Sequence, residues 1–284
     1  MFDFINQSDR IALGTAQFGF DYGISNTSGK TSVDEVKRIL NFCELNNIYS
    51  LDTAFAYFDS ESALGLFDLH KFKIVSKFMS FKESNGLGIR NQLEQSLVNL
   101  RVENIYAYLA HRTLATTEAE WSSLLKLKDE GLVQKIGFSF NDLYEVDYII
   151  KKGFIPDLVQ APFNYIDRRF SEKLTEFKDK FNTEIHTRSV FLQGLFFLDP
   201  NSLPAFFDPI KDLLLEIEHL DNKVGFLLQY VLDQPFIDKV VIGVNNKLQL
   251  ENNLLALKST KISNNRVIPS PPDECITPSK WPKI

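Results

Sequence analysis

The sequence predicts one α/β domain, a closed (β/α)8 TIM barrel, in a chain of 284 residues. Short β-rich runs alternate with longer helical patterns eight times, and no change of composition divides the series. Strands that alternate with helices pair in parallel through helical crossovers, and eight such units in about 250 residues are typical of a closed barrel. No Gly-x-Gly-x-x-Gly motif follows the first strand, which argues against an open dinucleotide-binding sheet.

The strands are predicted from short runs rich in β-branched and aromatic side chains that are bounded by turn residues. In chain order they cover residues 11–15, 49–54, 72–77, 104–111, 135–139, 156–161, 183–189 and 239–243. Because the strands of such a barrel are all parallel, their carboxyl ends meet at one rim, where functional residues are expected.

The helices between the strands are predicted from apolar residues at spacings of three and four. The first follows Ser32, which forms a capping box with Glu35, and its apolar face includes Ile39 and Cys43. Further helices are predicted over residues 60–67, 88–100, 117–130, 143–153, 170–181, 208–220, 222–232 and 247–257.

The chain ends in a segment of different composition. Residues 264–284 contain five prolines and show neither a helical nor a strand period. We therefore expect two parts, the barrel of residues 1–263 and an irregular tail over residues 264–284 that packs on the barrel.

Charge, cysteine content and the start of the chain exclude several classes of protein. The 31 Lys and Arg residues against 37 Asp and Glu residues give a net charge of −6, which argues against broad affinity for nucleic acid or an anionic membrane. The two cysteines, Cys43 and Cys275, have no metal-ligand spacing, so neither a disulfide framework nor a metal site is expected. No signal peptide and no run of about 20 apolar residues is recognised. We expect a cytoplasmic monomer that acts on a small molecule.

Polar side chains close three neighbouring strands at the predicted rim. Asp52 ends the second strand and is followed by Tyr57, Lys77 ends the third strand, and His111 ends the fourth. Each has a simpler interpretation on its own: an Asp commonly caps a turn, a strand-end Lys is usually solvated, and a single His is usually structural. Their coincidence at one rim favours a functional interpretation.

This set of side chains has a specific chemistry. A phenol is a poor acid at neutral pH, because its pKa is about 10. A nearby ammonium favours the phenolate, and a carboxylate holds that ammonium charged, so we expect Lys77 and Asp52 to lower the pKa of Tyr57. Tyr57 would then protonate a developing alkoxide while His111 orients the carbonyl oxygen. This is the acid catalysis that carbonyl reduction needs, and a hydride donor completes it.

Several segments carry a recognisable pattern in a characteristic order. They are LGTAQFG at 13–19, DTAFAY at 52–57, SE at 60–61, LG at 64–65, VSK at 75–77, LAH at 109–111, KIGFS at 135–139, VQAPFN at 159–164 and QGL at 193–195. They resemble the aldo-keto reductases, including bacterial members. The resemblance implies a (β/α)8 barrel that reduces aldehydes or ketones with NADPH. It also implies that Asp52, Tyr57, Lys77 and His111 are the catalytic tetrad, with Tyr57 as proton donor.

The resemblance also implies a set of cofactor-binding residues that follow the strands. Ser139 and Gln160 match the residues that hold the nicotinamide carboxamide, and the segment after strand eight matches the one that binds the adenosine phosphate. The implied set is Gly14, Thr15, Ala16, Asp52, Ser139, Gln160, Arg188, Ser189, Phe191, Gln193, Gly194, Gly243, Val244, Asn245, Lys247, Gln249 and Asn253.

The chain departs from the family pattern at two cofactor positions. Phe140 follows Ser139 where many members have Asn, and Arg188 replaces the aromatic ring that lies under the nicotinamide. A guanidinium can stack as a flat face. We hypothesise that Arg188 disfavours the oxidised cofactor, and another rotamer would reach an acidic substrate. Lys247 is the only cation between residues 243 and 253, so NADPH is implied while NADH stays open.

Two other functions compete with carbonyl reduction. A regulatory or scaffold barrel of the same family would bind cofactor with little turnover, but it has no need of both Tyr57 and Lys77. A barrel glycoside hydrolase would need two carboxylates, and Asp52 has no acidic partner at the ends of strands four to seven. The long loop from Phe20 to Lys30 suggests a substrate role. The resemblance to reductases of bacterial surface-sugar pathways suggests a sugar-derived carbonyl.

Overall fold

The computed structural model describes residues 5–260 and 270–282, with only the backbone for residues 5 and 6. Eight parallel strands form a closed barrel in chain order, with β8 paired back to β1. The predicted (β/α)8 TIM barrel is therefore confirmed. The strands are β1 Ile11–Gly14, β2 Ser50–Asp52, β3 Lys73–Phe78, β4 Ile105–Ala110, β5 Val133–Ser139, β6 Leu158–Pro162, β7 Glu184–Arg188 and β8 Lys239–Gly243.

The α-helices alternate with the strands and cover the outside of the barrel. Most begin and end within a few residues of their predicted positions, and two short ones, α1 and α2, were not predicted. The helices are α1 Ile5–Ser8, α2 Ala16–Gly19, α3 Val33–Leu45, α4 Ser60–Leu64, α5 Ile89–Leu100, α6 Glu118–Asp129, α7 Leu143–Lys152, α8 Ser171–Phe181, α9 Lys211–Glu218, α10 Lys223–Leu232 and α11 Lys247–Lys258.

The helix predicted over residues 208–220 is interrupted in the structure. A 3-10 helix, Ala205–Ile210, precedes α9 and contains Pro209. Proline has no backbone N–H and fixes its own φ angle, so a regular helix cannot run through it unchanged. The turn that contains Pro209 is therefore a 3-10 helix, in which hydrogen bonds join residues three positions apart.

The buried hydrophobic residues of the described chain form a main core, a second smaller cluster and a group of four strand residues, Val75, Ala107, Leu109 and Leu158. In the main core, Trp121 stacks between Phe138 and Phe154 at ring distances of 5.2 and 5.0 Å. The second cluster joins residues 192–217 to the end of the chain, where Cys275 and Ile276 are each 1% exposed. Burial of such side chains stabilises the fold by about 25 cal/mol per Å² of apolar surface.

Part of the predicted tail is described. Residues 270–282 include two 3-10 helices, Asp273–Ile276 and Pro278–Lys280, and Trp281 donates a hydrogen bond to the Cys275 carbonyl at 3.0 Å. The predicted boundary at residues 263 and 264 lies outside the described residues. In the described part of the chain, the helices are too short or too polar to cross a membrane.

Candidate active site

Two charged side chains form a buried ion pair at the carboxyl ends of neighbouring strands. Asp52 is the last residue of β2, and Lys77 is the last but one of β3. The Lys77 Nζ lies 2.8 Å from each carboxylate oxygen of Asp52 and donates to the Thr53 carbonyl, also at 2.8 Å. The Lys77 and Asp52 side chains are 1% and 5% exposed. Because the ammonium bonds three oxygens, this buried pair is held in one geometry.

A turn after β2 brings the Tyr57 ring against this ion pair. The Tyr57 amide donates to the Ala54 carbonyl at 2.9 Å, and the Lys77 Nζ lies 5.2 Å from the Tyr57 ring centre. Gly19 permits this turn, because a Cβ there would lie 1.7 Å from the Tyr57 carbonyl oxygen. His111 directly follows β4, and its ring meets Tyr57 edge-on at 6.0 Å. The structure thus brings the four predicted catalytic side chains together.

Burial keeps the Tyr57 hydroxyl protonated. It raises the pKa of Tyr57 above its usual value, Asp52 raises that pKa further, and Arg188 opposes the shift. The sequence predicted the opposite direction from the nearby Lys77 ammonium. That prediction is wrong, because the cost of burying a phenolate exceeds the attraction of an ammonium that Asp52 already neutralises.

Burial also lowers the pKa of the two neighbouring bases. For Lys77, burial disfavours the ammonium, and Asp52 opposes this effect. The pKa of His111 falls to about 3, first through burial and then through the charges of Lys77, Arg188 and Arg112. The imidazole is therefore neutral at neutral pH, so one ring nitrogen carries a proton and the other accepts.

A cavity of about 360 Å³ opens beside Tyr57 at the rim of the barrel. Its volume lies within the usual range for small-molecule sites. The predicted site residues that line it are Gly14, Thr15, Ala16, Asp52, Tyr57, Arg188, Ser189, Phe191, Gln193, Gly194, Gly243, Asn245, Gln249 and Asn253. Outside this lining lie Lys77, His111, Ser139, Gln160, Val244 and Lys247.

Two buried amide oxygens near the cavity have no partner among the described residues. Gln160 donates to Asp52 at 2.7 Å, which leaves its own Oε1 unpaired, and Gln17 Oε1 is likewise unpaired. Gln17 lies so close to Gly243 that a Cβ there would come within 2.7 Å of the Gln17 Nε2. Unpaired buried acceptors are costly, and a ligand that donates a hydrogen bond to them removes that cost. A carboxamide N–H is a donor of this kind, so the site fits a nicotinamide beside Gln160.

Arg188 lines the cavity and is bonded to the residues that follow β5. Its Nη2 donates to the Phe140 carbonyl at 2.8 Å and to Asn141 Oδ1 at 2.7 Å, and its Nη1 donates to Ser189 Oγ at 3.3 Å. Ser139 is the register partner of Gln160 and is buried. The guanidinium is thus held against Phe140 and Asn141, directly after β5.

In the segment after β8, three of the predicted cofactor-binding residues contact other parts of the protein. Lys247 pairs with Glu251 at 2.5 Å, and its Nζ lies 4.9 Å from the Phe42 ring. Gln249 Oε1 accepts from the Asn245 amide at 2.7 Å. Val244 is 2% exposed and belongs to the core. The cation proposed for a 2′-phosphate is therefore already paired.

The predicted long loop from Phe20 to Lys30 crosses the cavity and bonds to its far side. Gln193 donates to the Tyr22 hydroxyl at 2.9 Å and accepts from the Ile24 amide at 3.1 Å through its carbonyl. Asn245 donates to Asn26 Oδ1 at 2.7 Å. Sequence reasoning did not single out Gln17, which lines the cavity, whereas Tyr22 and Asn26 belong to the loop whose unusual length suggested a substrate role.

Comparison with known proteins agrees with this architecture. The model of the Aldo/keto reductase family matches residues 10–267. No curated protein matches the chain significantly.

Three solved structures illustrate the similarity of fold. A putative aldo-keto reductase from Pseudomonas aeruginosa is 22% identical, with a TM-score of 0.65 over 87% of this chain and 88% of that one. The holo form of aldo-keto reductase AKR11C1 from Bacillus halodurans is 20% identical, with a TM-score of 0.71 over 89% and 88%. Glycerol dehydrogenase AKR11B4 from Gluconobacter oxydans is 18% identical, with a TM-score of 0.64 over 92% and 95%. Because the family model covers most of the sequence, this chain belongs to the aldo/keto reductase family.

Proposed function

We propose that the protein is an NADPH-dependent oxidoreductase that reduces an aldehyde or ketone to an alcohol. One observation carries the proposal: Tyr57 lines the cavity and His111 contacts its ring, neither has a side-chain hydrogen-bond partner in the described part of the chain, and both lie beside the fully bonded pair of Lys77 and Asp52. A neutral phenol and a neutral imidazole suit a carbonyl oxygen, which accepts hydrogen bonds from both.

Each residue of the tetrad has a distinct part in this proposal. Tyr57 gives its hydroxyl proton to the carbonyl oxygen as that oxygen gains negative charge. Lys77, 5.2 Å from the Tyr57 ring, stabilises the phenolate that remains, and Asp52 keeps the ammonium in place. His111 donates one N–H to the carbonyl oxygen and so orients it.

The proposal assigns the cofactor to the same cavity. A bound reduced nicotinamide supplies the hydride that the carbonyl carbon receives. Gln160, with its unpaired Oε1, and Ser139 would hold the carboxamide. Gly14 and Gly243 are register partners at neighbouring strand ends and line the same cavity. NADPH is favoured by the family resemblance, and NADH is the alternative to test.

A turnover assay tests the proposal. The protein is mixed with NADPH or NADH and a panel of aldehydes, ketones and sugar-derived carbonyls, and the absorbance of the reduced nicotinamide is followed. We expect carbonyl-dependent oxidation of the cofactor that is lost when Tyr57 is replaced by Phe. Tight cofactor binding without turnover of any carbonyl would favour the regulatory barrel instead.

A further inference from the structure

The Arg188 guanidinium is a cation without a counter-ion at the reaction site. Its three hydrogen bonds go to neutral acceptors on Phe140, Asn141 and Ser189, and within residues 5–260 and 270–282 it forms no ion pair with a carboxylate. Glu145 is close enough to feel its charge, but Glu145 Oε2 accepts from the amides of Asn141 and Asp142. A half-buried charge that has given up water is stabilised by an opposite charge in contact with it, and none of the described carboxylates contacts this guanidinium.

This cation faces the place where the carbonyl oxygen would bind. Arg188 is the last residue of β7 and lines the same cavity as Tyr22 and Tyr57. Of the described residues that line the cavity, Arg188 is the one cation and Asp52 the one anion, and Asp52 is paired with Lys77. The cavity is therefore electropositive.

The surroundings of His111 support the same conclusion. Its imidazole is acted on by Lys77, Arg188 and Arg112, all cations. Arg112 lies at the rim, pairs with Glu83 at 3.4 Å and is 60% exposed, so solvent and Glu83 compensate its charge. Arg188 has no such compensation, which leaves a ligand as the source of the missing negative charge.

The phosphates of the proposed cofactor do not fill this role. The segment proposed to bind them follows β8, whereas the Arg188 guanidinium turns away from β8, towards Phe140 and Asn141 at the end of β5. A guanidinium has five N–H donors, and three bonds are used, so two donors remain for a ligand.

We propose that the substrate is an acidic carbonyl compound whose carboxylate pairs with Arg188 while its carbonyl oxygen lies between Tyr57 and His111. This inference rests on the proposed function and adds the class of substrate. Charge pairing of this kind gives specificity as well as affinity, because a neutral analogue leaves the guanidinium desolvated and unpaired.

A matched pair of aldehydes tests the proposal with the full-length protein and NADPH. Succinic semialdehyde carries a carboxylate, and 4-oxobutanamide has the same length and shape with a neutral amide. We expect kcat/KM to be about tenfold or more higher for the acid in the unmodified protein, since buried charge pairing is worth at least one such factor. Arg188→Gln should abolish this ratio, Arg188→Lys should restore part of it, and the rim control Arg112→Gln should keep it.

A binding measurement keeps the test decisive when turnover is slow. Succinate and succinamide are titrated by calorimetry into the protein mixed with NADP⁺, and we expect succinate to bind about tenfold more tightly. Equal kinetics and equal binding for acid and amide would overturn the proposal. So would an Arg188→Gln variant that changes the NADPH or NADP⁺ dissociation constant but leaves the acid preference intact. Failure of the proposed function is distinct, because then neither aldehyde is reduced.

Discussion

The two ends of the barrel contain the same four types of side chain, a carboxylate, a lysine, a tyrosine and a histidine. Each end therefore has the elements from which a catalytic tetrad is built, yet they are bonded differently. The carboxyl end has Asp52, Lys77, Tyr57 and His111, and the amino end has Glu184, Lys135, Tyr106 and His186.

At the amino end the polar groups are bonded to one another. Glu184 accepts from His186 Nε2 at 2.7 Å and from the Tyr106 hydroxyl at 2.5 Å, and it also pairs with Lys135. Nδ1 of His186 lacks a partner in the described structure, but His186 is only 1% exposed. This network of bonded charges stabilises the fold.

At the carboxyl end only half of the set is closed. Lys77 and Asp52 bond each other, whereas the Tyr57 hydroxyl and the His111 ring have no hydrogen-bond partner in the described structure. Tyr57 also lines the cavity. The comparison teaches that residue types do not define a reaction site; donors left open towards a cavity do.

The largest effect is expected from removing one phenol at each end. Tyr57→Phe should lower kcat/KM for carbonyl reduction by about 100-fold or more, because the general acid is lost. Tyr106→Phe, the matched control, should change kcat/KM by less than about twofold and lower the free energy of unfolding by about 1 kcal/mol. Steady-state kinetics and urea unfolding of both variants provide the measurement. Similar kinetics for the two variants would contradict the distinction between the ends.

The next effect is on stability, at the amino end. Burial alone would raise the pKa of Glu184. The hydrogen bonds from His186, Lys135 and Tyr106 outweigh burial and lower this pKa. A lowered carboxyl pKa contributes stability above its unfolded value of about 4.3, and that contribution is lost as the pH falls through the lower folded value. Glu184→Gln should therefore cost about 3 kcal/mol at neutral pH.

The pH dependence of that cost distinguishes charge from packing. The difference in unfolding free energy between the unmodified protein and Glu184→Gln should shrink as the pH falls below about 4. Urea titrations at several pH values measure it, and kcat/KM at neutral pH should stay within about twofold as the control. A cost that does not change with pH would assign the loss to packing.

The alternation of strand and helix patterns was sufficient to predict the barrel, because each strand and each helix has its own hydrophobic period. The eighth strand, Lys239–Gly243, has the predicted bounds, and α11 begins at the predicted Lys247. The break before α9 was missed because Pro209 lies inside an apolar pattern that otherwise continues. Local patterns thus fix the elements, and proline chemistry shifts their ends.

From the sequence, the only part of the site that could be predicted is the part formed by the converging ends of the strands. Asp52 and Lys77 meet because neighbouring parallel strands end at one rim. The contact of Tyr22 with Gln193 joins residues 171 positions apart, and no local period encodes such a loop closure. The predicted direction of the Tyr57 pKa shift was wrong for a related reason, because the burial of the ring depends on every element packed around it.

Another pH-dependent effect, small near neutral pH, is expected from the imidazole at the carboxyl end. The pKa of His111 is lowered from 6.5 to about 3 by burial and nearby cations. Below about pH 6.5 the unfolded state takes up a proton that the folded state does not, so stability falls with decreasing pH by up to about 1.4 kcal/mol per unit until about pH 3. His111→Phe should remove this contribution from the slope of unfolding free energy against pH. The control His70→Gln alters a histidine that is 64% exposed and should leave the slope nearly unchanged.

The smallest effect is expected at Lys247, the cation that the sequence assigned to a 2′-phosphate. Because Glu251 already pairs with it, Lys247→Ala should raise the NADPH dissociation constant only about two- to threefold and spare NADH. Glu251→Gln frees the ammonium and should tighten NADPH binding by a similar factor while leaving NADH unchanged. Fluorescence titration with both nucleotides measures these constants. If Lys247→Ala weakened NADPH binding tenfold or more, the ammonium would have to leave Glu251 for the phosphate. Equal changes in the dissociation constants of both nucleotides would mean that Lys247 does not discriminate between them.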